Sequence, residues 1–235
     1  MKIRERLDAL DWAEISASLD ARGWAKTPPL LTPHECAGLA ALWPEDARFR
    51  KRIDMASHAF GEGAYGYFAM PLPPLVRELR TAAYRPLAGV ANRWAEQLGR
   101  EERFPSSLAA FLKHCHARGQ TRPTPLLLRY DAGGYNCLHR DLYGDIVFPL
   151  QLTCFLSRRG VDYDGGDFLL VEQRPRAQSR GEVIPGEQGE IVIFAVRDRP
   201  ARGKRGYYRA ALRHGVATLR RGERFALGII FHDAA

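Results

Sequence analysis

The sequence predicts an α+β protein in which N-terminal helices pack against a strand-rich C-terminal core. Residues 1–120 contain amphipathic segments with helix-capping signals, whereas residues 121–235 contain short apolar segments separated by turn residues. Many short strands between turns are typical of an antiparallel barrel or sandwich. Because one helical layer and one strand core account for all 235 residues, we expect a single domain.

Capping signals and apolar periodicity predict the helices. Thr32-Pro33 supplies an N-cap and a first helical residue. Pro86 lies inside the longest periodic segment and should kink it or divide it in two. The predicted helices cover residues 5–21, 33–43, 74–98 and 106–117.

Apolar segments of strand length predict the C-terminal core. Residues 173–189 contain two prolines and three glycines and are therefore predicted to form a long loop. Residues 52–68 are rich in glycine and aromatic residues, which suggests a hairpin. The predicted strands cover residues 126–131, 147–156, 167–172, 190–196, 214–219 and 224–231.

Two histidines and one aspartate have the spacing of a metal site. His139 and Asp141 are two residues apart, and an extended strand would place both side chains on one face. With the distant His214 they supply two imidazoles and one carboxylate, the facial ligand set of non-haem Fe(II) oxygenases. The alternative is a polar cluster at a strand edge. It is disfavoured because further residues of such a site occur at compatible spacing.

Three segments around these residues carry a resemblance to a known superfamily. Their order and spacing resemble the Fe(II)/2-oxoglutarate dioxygenases, and locally the prolyl 4-hydroxylase-like members. As a whole, the sequence looks most like a small bacterial family of this superfamily, described as oxygenases acting on damaged nucleic acid. The three segments are Tyr130-Asp-Ala-Gly133 before His139, Asp164-Gly-Gly-Asp-Phe-Leu-Leu170, and His214 followed by Gly222-Glu-Arg224.

The resemblance implies a fold, a reaction and a set of cofactors. The fold would be a double-stranded β-helix (jelly-roll) over residues 121–235, with the helices of residues 1–120 outside it. His139, Asp141 and His214 would bind Fe(II). Arg224 would bind the distal carboxylate of 2-oxoglutarate, since a guanidinium offers a planar fork of donors, and the Tyr130 hydroxyl would help hold this cosubstrate. Dioxygen would complete the reaction, which releases succinate and carbon dioxide while a substrate C–H bond is hydroxylated.

Charge favours an anionic substrate, with DNA or RNA as the candidate polymer. The formal net charge is +8, and seven basic residues lie between Arg197 and Arg213 against one acid. We interpret this run as a loop that contacts substrate before His214, although exposed charge clusters are often only solvated. The aromatic hairpin would lie over the active site and sandwich a displaced base. The candidate substrate contacts are Arg202, Lys204, Arg205, His58, Tyr65 and Tyr67.

Other functions stay open at the level of sequence. AlkB-type demethylases usually carry a second arginine at the position of Ile230 and an asparagine at that of Leu128, and prolyl 4-hydroxylases carry a tyrosine at that of Asn136. Hydroxylation of a protein side chain, prolyl or otherwise, or of a small molecule, is therefore the alternative to oxidative demethylation of alkylated nucleic acid. A non-catalytic binding protein is a third class, which the intact ligand set argues against.

The N-terminal residues and the cysteines indicate the cellular compartment in which we expect the protein. No signal peptide and no apolar run of membrane-spanning length is present, so we expect a cytoplasmic protein without a membrane partner. The four cysteines lie far apart and are expected to be buried thiols. The sequence leaves the oligomeric state open.

Overall fold

Helices dominate the first half of the chain and strands the second. The computed structural model describes residues 1–235. The helices are α1 (Ile3–Asp8), α2 (Trp12–Arg22), α3 (Pro33–Ala40), α4 (Pro74–Gln97) and α5 (Leu108–Ala117). None of them combines the length and the hydropathy needed to cross a lipid bilayer.

Fourteen strands follow and interleave with these helices. They are β1 (Trp24–Lys26), β2 (Phe49–Asp54), β3 (Gly61–Glu62), β4 (Ala64–Phe68), β5 (Leu126–Asp131), β6 (Tyr135–His139), β7 (Leu150–Phe155), β8 (Tyr163–Gly165), β9 (Phe168–Gln173), β10 (Arg180–Ile184), β11 (Ile191–Ala195), β12 (Asp198–Gly203), β13 (Gly206–Val216) and β14 (Leu219–Ile230).

The strands form two antiparallel sheets. The major sheet has the order β1-β11-β7-β14-β5-β4-β2, with β8 paired to β14. The minor sheet has the order β10-β9-β13-β6-β3, with β12 paired to β13. Neighbouring strands are mostly distant in sequence, which is the connectivity of a jelly-roll rather than of a simple meander. The predicted α+β class, with strands concentrated after residue 121, is confirmed.

Local capping explains where the first helices begin. Thr32 accepts a hydrogen bond from the Glu35 amide and caps α3, as predicted. The single helix predicted over residues 5–21 is wrong, because the chain breaks between α1 and α2. Asp11 caps α2 by accepting hydrogen bonds from the amides of Ala13 and Glu14. An aspartate whose side chain binds these amides favours a new helix start over continuation.

Helix α4 runs without interruption through Pro86, so of the two predicted effects of this residue the division into two helices is wrong. Proline removes one backbone hydrogen bond, that to the carbonyl of residue 82, and leaves the others of this 24-residue helix in place. One face of α4 is fully covered by the core, as Leu79, Leu87 and Trp94 show. Apolar burial of this extent outweighs the loss of one hydrogen bond.

One hydrophobic core of 44 buried residues joins the helices to the major sheet. Tyr84 of α4 and Phe111 of α5 pack with Phe148 and Phe231 at ring-centroid distances of 4.9 to 5.7 Å. These aromatic contacts fix the helices on the outside of the sheet. A space between the two sheets stays open and is lined in part by residues of β6 and β13.

Two predicted loops contain strands. Residues 173–189 contain β10, which pairs with β9 from Arg180 to Ile184, and the segments on either side of β10 are irregular. The basic run 197–213 is not a loop but the β12–β13 hairpin and the first part of a long strand. β10 has a single buried residue, Ile184, so no alternating pattern distinguishes it from the surrounding turn residues. In β12 and β13 the arginines mask the strand pattern.

Candidate functional site

The two predicted metal histidines lie opposite each other on paired strands. His139 ends β6, and its partner in the register of β13 is His214. Their ring centroids are 4.2 Å apart. The prediction that Asp141 shares a strand with His139 is wrong, because β6 ends at His139 and Asp141 lies two residues beyond it. Its Oδ2 is 3.2 Å from His214 Nε2, and its Oδ1 is 3.6 Å from His139 Nε2.

The donor atoms of these three residues all lie within 4.8 Å of one another, as sharing one ion requires. His139 Nδ1 is 2.8 Å from the Cys137 carbonyl, to which it donates as the Nδ1–H tautomer. This leaves the Nε2 lone pair toward Asp141. Two imidazoles and one carboxylate around a common point suit Fe(II) and would leave its other coordination positions to a cosubstrate. The donor set therefore fits the predicted metal.

Both carboxylate oxygens of Asp141 are held by side chains. The Tyr143 hydroxyl donates to Oδ1 at 2.6 Å, and the Gln151 amide donates to Oδ2 at 2.9 Å. Gln151 Nε2 also lies 3.4 Å from His214 Nε2. Partners of this kind orient a metal-binding carboxylate and restrict its rotation.

Protonation in this cluster favours metal binding. Burial acts to raise the pKa of Asp141, but the hydrogen bond with His214 and the nearby imidazoles outweigh it, so the pKa is lowered far below its ordinary value. Burial, with His139 nearby, lowers the pKa of His214. A charged carboxylate and a neutral imidazole are the forms that coordinate metal ions.

These residues line a cavity of about 360 Å³ between the two sheets. Its wall is mostly apolar, and the polar groups converge on two places, the histidine–aspartate cluster and Arg224. A largely apolar cavity with a few convergent polar groups is typical of a binding site for a small molecule.

Arg224 of β14 is a buried guanidinium without an acidic partner. Its side chain is 1% exposed, and its Nε and Nη1 have no hydrogen-bond partner. Its guanidinium carbon lies 5.5 to 5.8 Å from the ring centroids of Tyr130, Phe155 and Tyr163. A buried charge without a partner is costly, so its free donors mark a place for an anion. A carboxylate that enters the cavity fits this place.

The glycine pair at the end of β8, Gly165 and Gly166, makes room for Arg224. Gly166 has a φ of +59°, and a Cβ built on it would lie 2.0 Å from a Leu219 methyl carbon and 3.2 Å from Arg224 Cδ. A side chain here would therefore displace Leu219 and press on Arg224. This explains why the Gly-Gly segment belongs to the site although neither glycine carries a functional group.

Tyr130 lies beside Arg224 in the register of β5 and β14 and is fully buried. Its hydroxyl accepts a 3.4 Å hydrogen bond from the Asn136 amide. Burial raises the pKa of Tyr130 to about 12, against the opposing charge of Arg224. The hydroxyl therefore stays protonated and can donate to a ligand.

The predicted substrate contacts divide into four groups. Tyr65 lines the cavity. Tyr67 does not line it but packs edge-on against Tyr65 and Tyr143. His58 is exposed and stacks on Phe60, whose ring lies at the cavity mouth and is 47% exposed. The last group is outside the cavity lining, at the tip of the β12–β13 hairpin: Arg202, Lys204 and Arg205.

Three of the cavity residues that were not predicted are polar. Gln151 and Thr153 project into the cavity from β7, and Tyr143 contacts Asp141. The sequence holds a signal for the first two, since they alternate as the polar residues of an otherwise apolar strand, Leu150 to Phe155. Polar residues two apart on a buried strand face the same side. Tyr143 has no such signal.

The sequence model of one protein family matches residues 63–234. That family, Oxygenase-NA, is described as an oxygenase catalysing oxidative methylation of damaged DNA. An uncharacterized protein of Mycobacterium tuberculosis strain H37Rv is 51% identical over 172 residues, which cover 73% of this chain and 74% of that protein.

Solved structures share the fold at low sequence identity. A Pseudomonas putida prolyl-4-hydroxylase has a TM-score of 0.56 at 17% identity and covers 95% of this chain and 99% of its own. A Burkholderia pseudomallei oxidoreductase of the 2OG-Fe(II) oxygenase family has a TM-score of 0.55 at 17% identity, with 97% and 94% covered. These likenesses confirm the predicted jelly-roll fold.

Proposed function

Because the chain belongs to the Oxygenase-NA family of oxygenases, we propose that it is an Fe(II)- and 2-oxoglutarate-dependent dioxygenase that hydroxylates or demethylates alkylated nucleic acid. One observation carries the proposal. The donor atoms of His139, Asp141 and His214 lie within 4.8 Å of one another in the cavity that also holds the unpaired Arg224. A metal site beside an anion site in one cavity is what a chelating keto acid requires.

His139, Asp141 and His214 would hold Fe(II), with Tyr143 and Gln151 fixing the carboxylate between the two imidazoles. When bound, the iron with 2-oxoglutarate and dioxygen supplies the oxidising chemistry, and the protein supplies orientation and a dry site. The apolar wall excludes bulk water around the cluster.

Arg224 and Tyr130 would bind the far carboxylate of 2-oxoglutarate. The free Nε and Nη1 of Arg224 offer donors to carboxylate oxygens, and the protonated Tyr130 hydroxyl can add a third. The surrounding rings of Phe155 and Tyr163 limit solvent around this ion pair, which strengthens it. Binding there orients the keto end toward the histidine–aspartate cluster.

The nucleic-acid substrate is supported by the description of the family and by charge. The formal net charge is +8, and the exposed Arg202, Lys204 and Arg205 have no ion-pair partner. Such cations contact phosphates and steer a polyanion toward the protein. Tyr65 in the wall and Phe60 at the mouth supply ring faces for a base that leaves its stack.

Turnover by the purified, iron-loaded protein tests this proposal. Single-stranded oligonucleotides with one N-methylated base should stimulate succinate release and yield formaldehyde in equal amount. His139→Ala and Asp141→Ala should abolish both products. Anaerobic Fe(II) with 2-oxoglutarate should give a visible charge-transfer band in the parent protein and none in these variants.

The alternative substrate classes are outcomes of the same experiment. Hydroxylation of proline-containing peptides without turnover of oligonucleotides would replace nucleic acid by protein as the substrate. Failure to form the charge-transfer band in the parent protein would overturn the cofactor assignment itself and favour a binding protein.

A further inference from the structure

The β12–β13 hairpin exposes its basic residues on one face. Directly paired residues share a face of a sheet, and Arg202 pairs with Tyr207 while Pro200 pairs with Arg209. Arg213 follows Arg209 on the same face, four residues along β13. The opposite face is covered by α2, where the buried Arg199 binds the Asp20 carbonyl and Glu172.

The charge on the exposed face is not neutralised. In its middle, the carboxylate of Asp198 is shared by Arg100, Arg197 and Arg209, at 2.9, 3.2 and 3.8 Å. One acid therefore balances three guanidinium groups. Four further cations have no acid within ion-pair distance: Arg202, Lys204, Arg205 and Arg213.

This face leads to the cavity. The Leu212 carbonyl, one residue before Arg213, accepts a 2.9 Å hydrogen bond from Arg140 Nε. Arg140 is exposed at the cavity rim and stands between His139 and Asp141 in the chain. Its terminal nitrogens have no acidic partner. Arg213 faces the opposite side of β13 from the cavity-lining His214, so the row of cations from the hairpin tip reaches the cavity rim through Arg140.

We propose that this row, the basic track, binds the phosphates of one polynucleotide strand and leads it from the hairpin tip to the cavity. The proposal rests on the function proposed above and adds a requirement for substrate length. Eight residues of β13 separate Gly206 at the tip from His214, about 26 Å at roughly 3.3 Å per residue. A strand with a rise of about 3.4 Å per nucleotide covers this distance with about eight nucleotides. The track comprises Arg140, Arg197, Arg202, Lys204, Arg205, Arg209 and Arg213.

A length series of single-stranded DNA oligonucleotides tests the track. Each oligonucleotide carries one N-methylated adenine at one end, with two to fifteen further nucleotides on its 5′ or 3′ side. Affinity, measured by fluorescence anisotropy, should rise with length on one side only and level off near about eight nucleotides. KM in the turnover assay should fall over the same range.

A triple variant at the hairpin tip, with Arg202, Lys204 and Arg205 each replaced by Gln, isolates the far end of the track. Its KM for the longest oligonucleotide should approach that of the parent for the shortest. The slope of log affinity against log salt should become shallower by about 2 to 3, one lost phosphate contact per residue. The matched control replaces the exposed Arg85 of α4, Lys113 of α5 and Arg118 directly after α5, and should keep both the affinity and the slope of the parent.

The outcomes separate the two proposals. Length-independent binding, or equal losses in the tip variant and its control, would overturn the track even if methylated oligonucleotides are turned over. Length-dependent binding that the tip variant loses, without turnover of any oligonucleotide, would support the track and overturn the proposed reaction.

Discussion

Arg224 is the residue whose environment says most about the ligand, because its buried charge has no acid beside it. Replacing it by Met should leave the ligand-free protein as stable as the parent or more stable, since an uncompensated buried charge is removed. The variant should lose stabilisation by 2-oxoglutarate, which at a hundredfold excess over Kd is worth about 2.7 kcal/mol. Thermal unfolding with and without 2-oxoglutarate measures both effects.

Arg80 is the matched control for that variant. It is equally buried but paired with Asp233 at 2.8 Å, and it also donates to the carbonyls of Ile230 and Phe231. Arg80→Met leaves the buried Asp233 carboxylate with His116 as its remaining side-chain partner and should lower the free energy of unfolding by about 3 to 5 kcal/mol. A loss of this size in Arg224→Met as well would mean that Arg224 is structural.

Tyr143 and Gln151 hold Asp141, so their removal should weaken metal binding. Tyr143→Phe and Gln151→Leu each take one hydrogen bond from the carboxylate, which should lower the affinity for Co(II) by about 10- to 100-fold. Titration followed by the visible absorption of Co(II) measures the affinity and reports altered ligand geometry.

Tyr84→Phe is the control for Tyr143→Phe. The Tyr84 hydroxyl is buried in the helical layer without a hydrogen-bond partner, so its loss should leave the Co(II) spectrum and affinity unchanged. Equal Co(II) affinities of the Tyr143→Phe and Tyr84→Phe variants would contradict the role of Tyr143 in positioning Asp141.

Much of the site could be predicted residue by residue, because ligand chemistry depends on residue types whose spacing is visible in the chain. His139, Asp141, His214 and Arg224 line one cavity as expected. Tyr143 could not be predicted. Its contact with Asp141 depends on how the chain turns after β6, and no periodic pattern records that turn.

Among the elements, α4 tests whether a proline is tolerated inside a helix that the core covers. Pro86→Ala restores the hydrogen bond to the residue 82 carbonyl and should raise the free energy of unfolding by about 1 to 3 kcal/mol. Urea unfolding of the two proteins measures this difference.

Gly89→Ala calibrates that experiment. Gly89 is exposed in the same helix, and a Cβ there meets no atom within 4 Å, so the variant should gain about 0.5 to 1 kcal/mol. Stabilisation by Gly89→Ala together with no gain from Pro86→Ala would indicate that α4 is interrupted at the proline.

Element prediction failed where polar residues interrupt the apolar pattern. The arginines of β12 and β13 and the turn residues around β10 conceal strands that pair through their backbones. Each of these strands is held by backbone hydrogen bonds to a paired strand, and side-chain propensity does not record this pairing. Elements with strong local signals, such as α3 after its Thr32 cap, were predictable.

At the scale of the whole molecule, an ion pair ties the first helix to the third. Arg6 donates to Glu35 and to the Leu30 carbonyl. The hydrogen bond from Arg6 lowers the pKa of Glu35 from 4.5 to about 2. Because the folded protein holds this carboxylate charged, the stabilisation is complete above about pH 4.5 and is lost as the pH falls to about 2.

Glu35→Gln should therefore be less stable than the parent at pH 7, and the difference should vanish near pH 2. Urea unfolding across this range measures it. Glu45→Gln, which removes an ion pair between half-exposed side chains, should differ little from the parent at any pH. A constant difference between Glu35→Gln and the parent at all pH values would contradict the assigned cause.

For the whole molecule, the sequence indicated the division into helices and strands but not the order of the strands in the sheets. The division into helices before residue 120 and strands after it was visible, because apolar periodicity differs between the two. The order of strands in the sheets was not, since long-range pairing leaves little trace in local sequence.

Of the four cysteines, the exposed one, Cys137, lies at the cavity mouth two residues before His139, which corrects the expectation that all four are buried. Burial raises the pKa of the other three, that of Cys36 to about 11. A maleimide dye should therefore attach at one position without mutagenesis. The chain thus carries its own reporter, whose emission would record each arrival and departure of a molecule at the entrance.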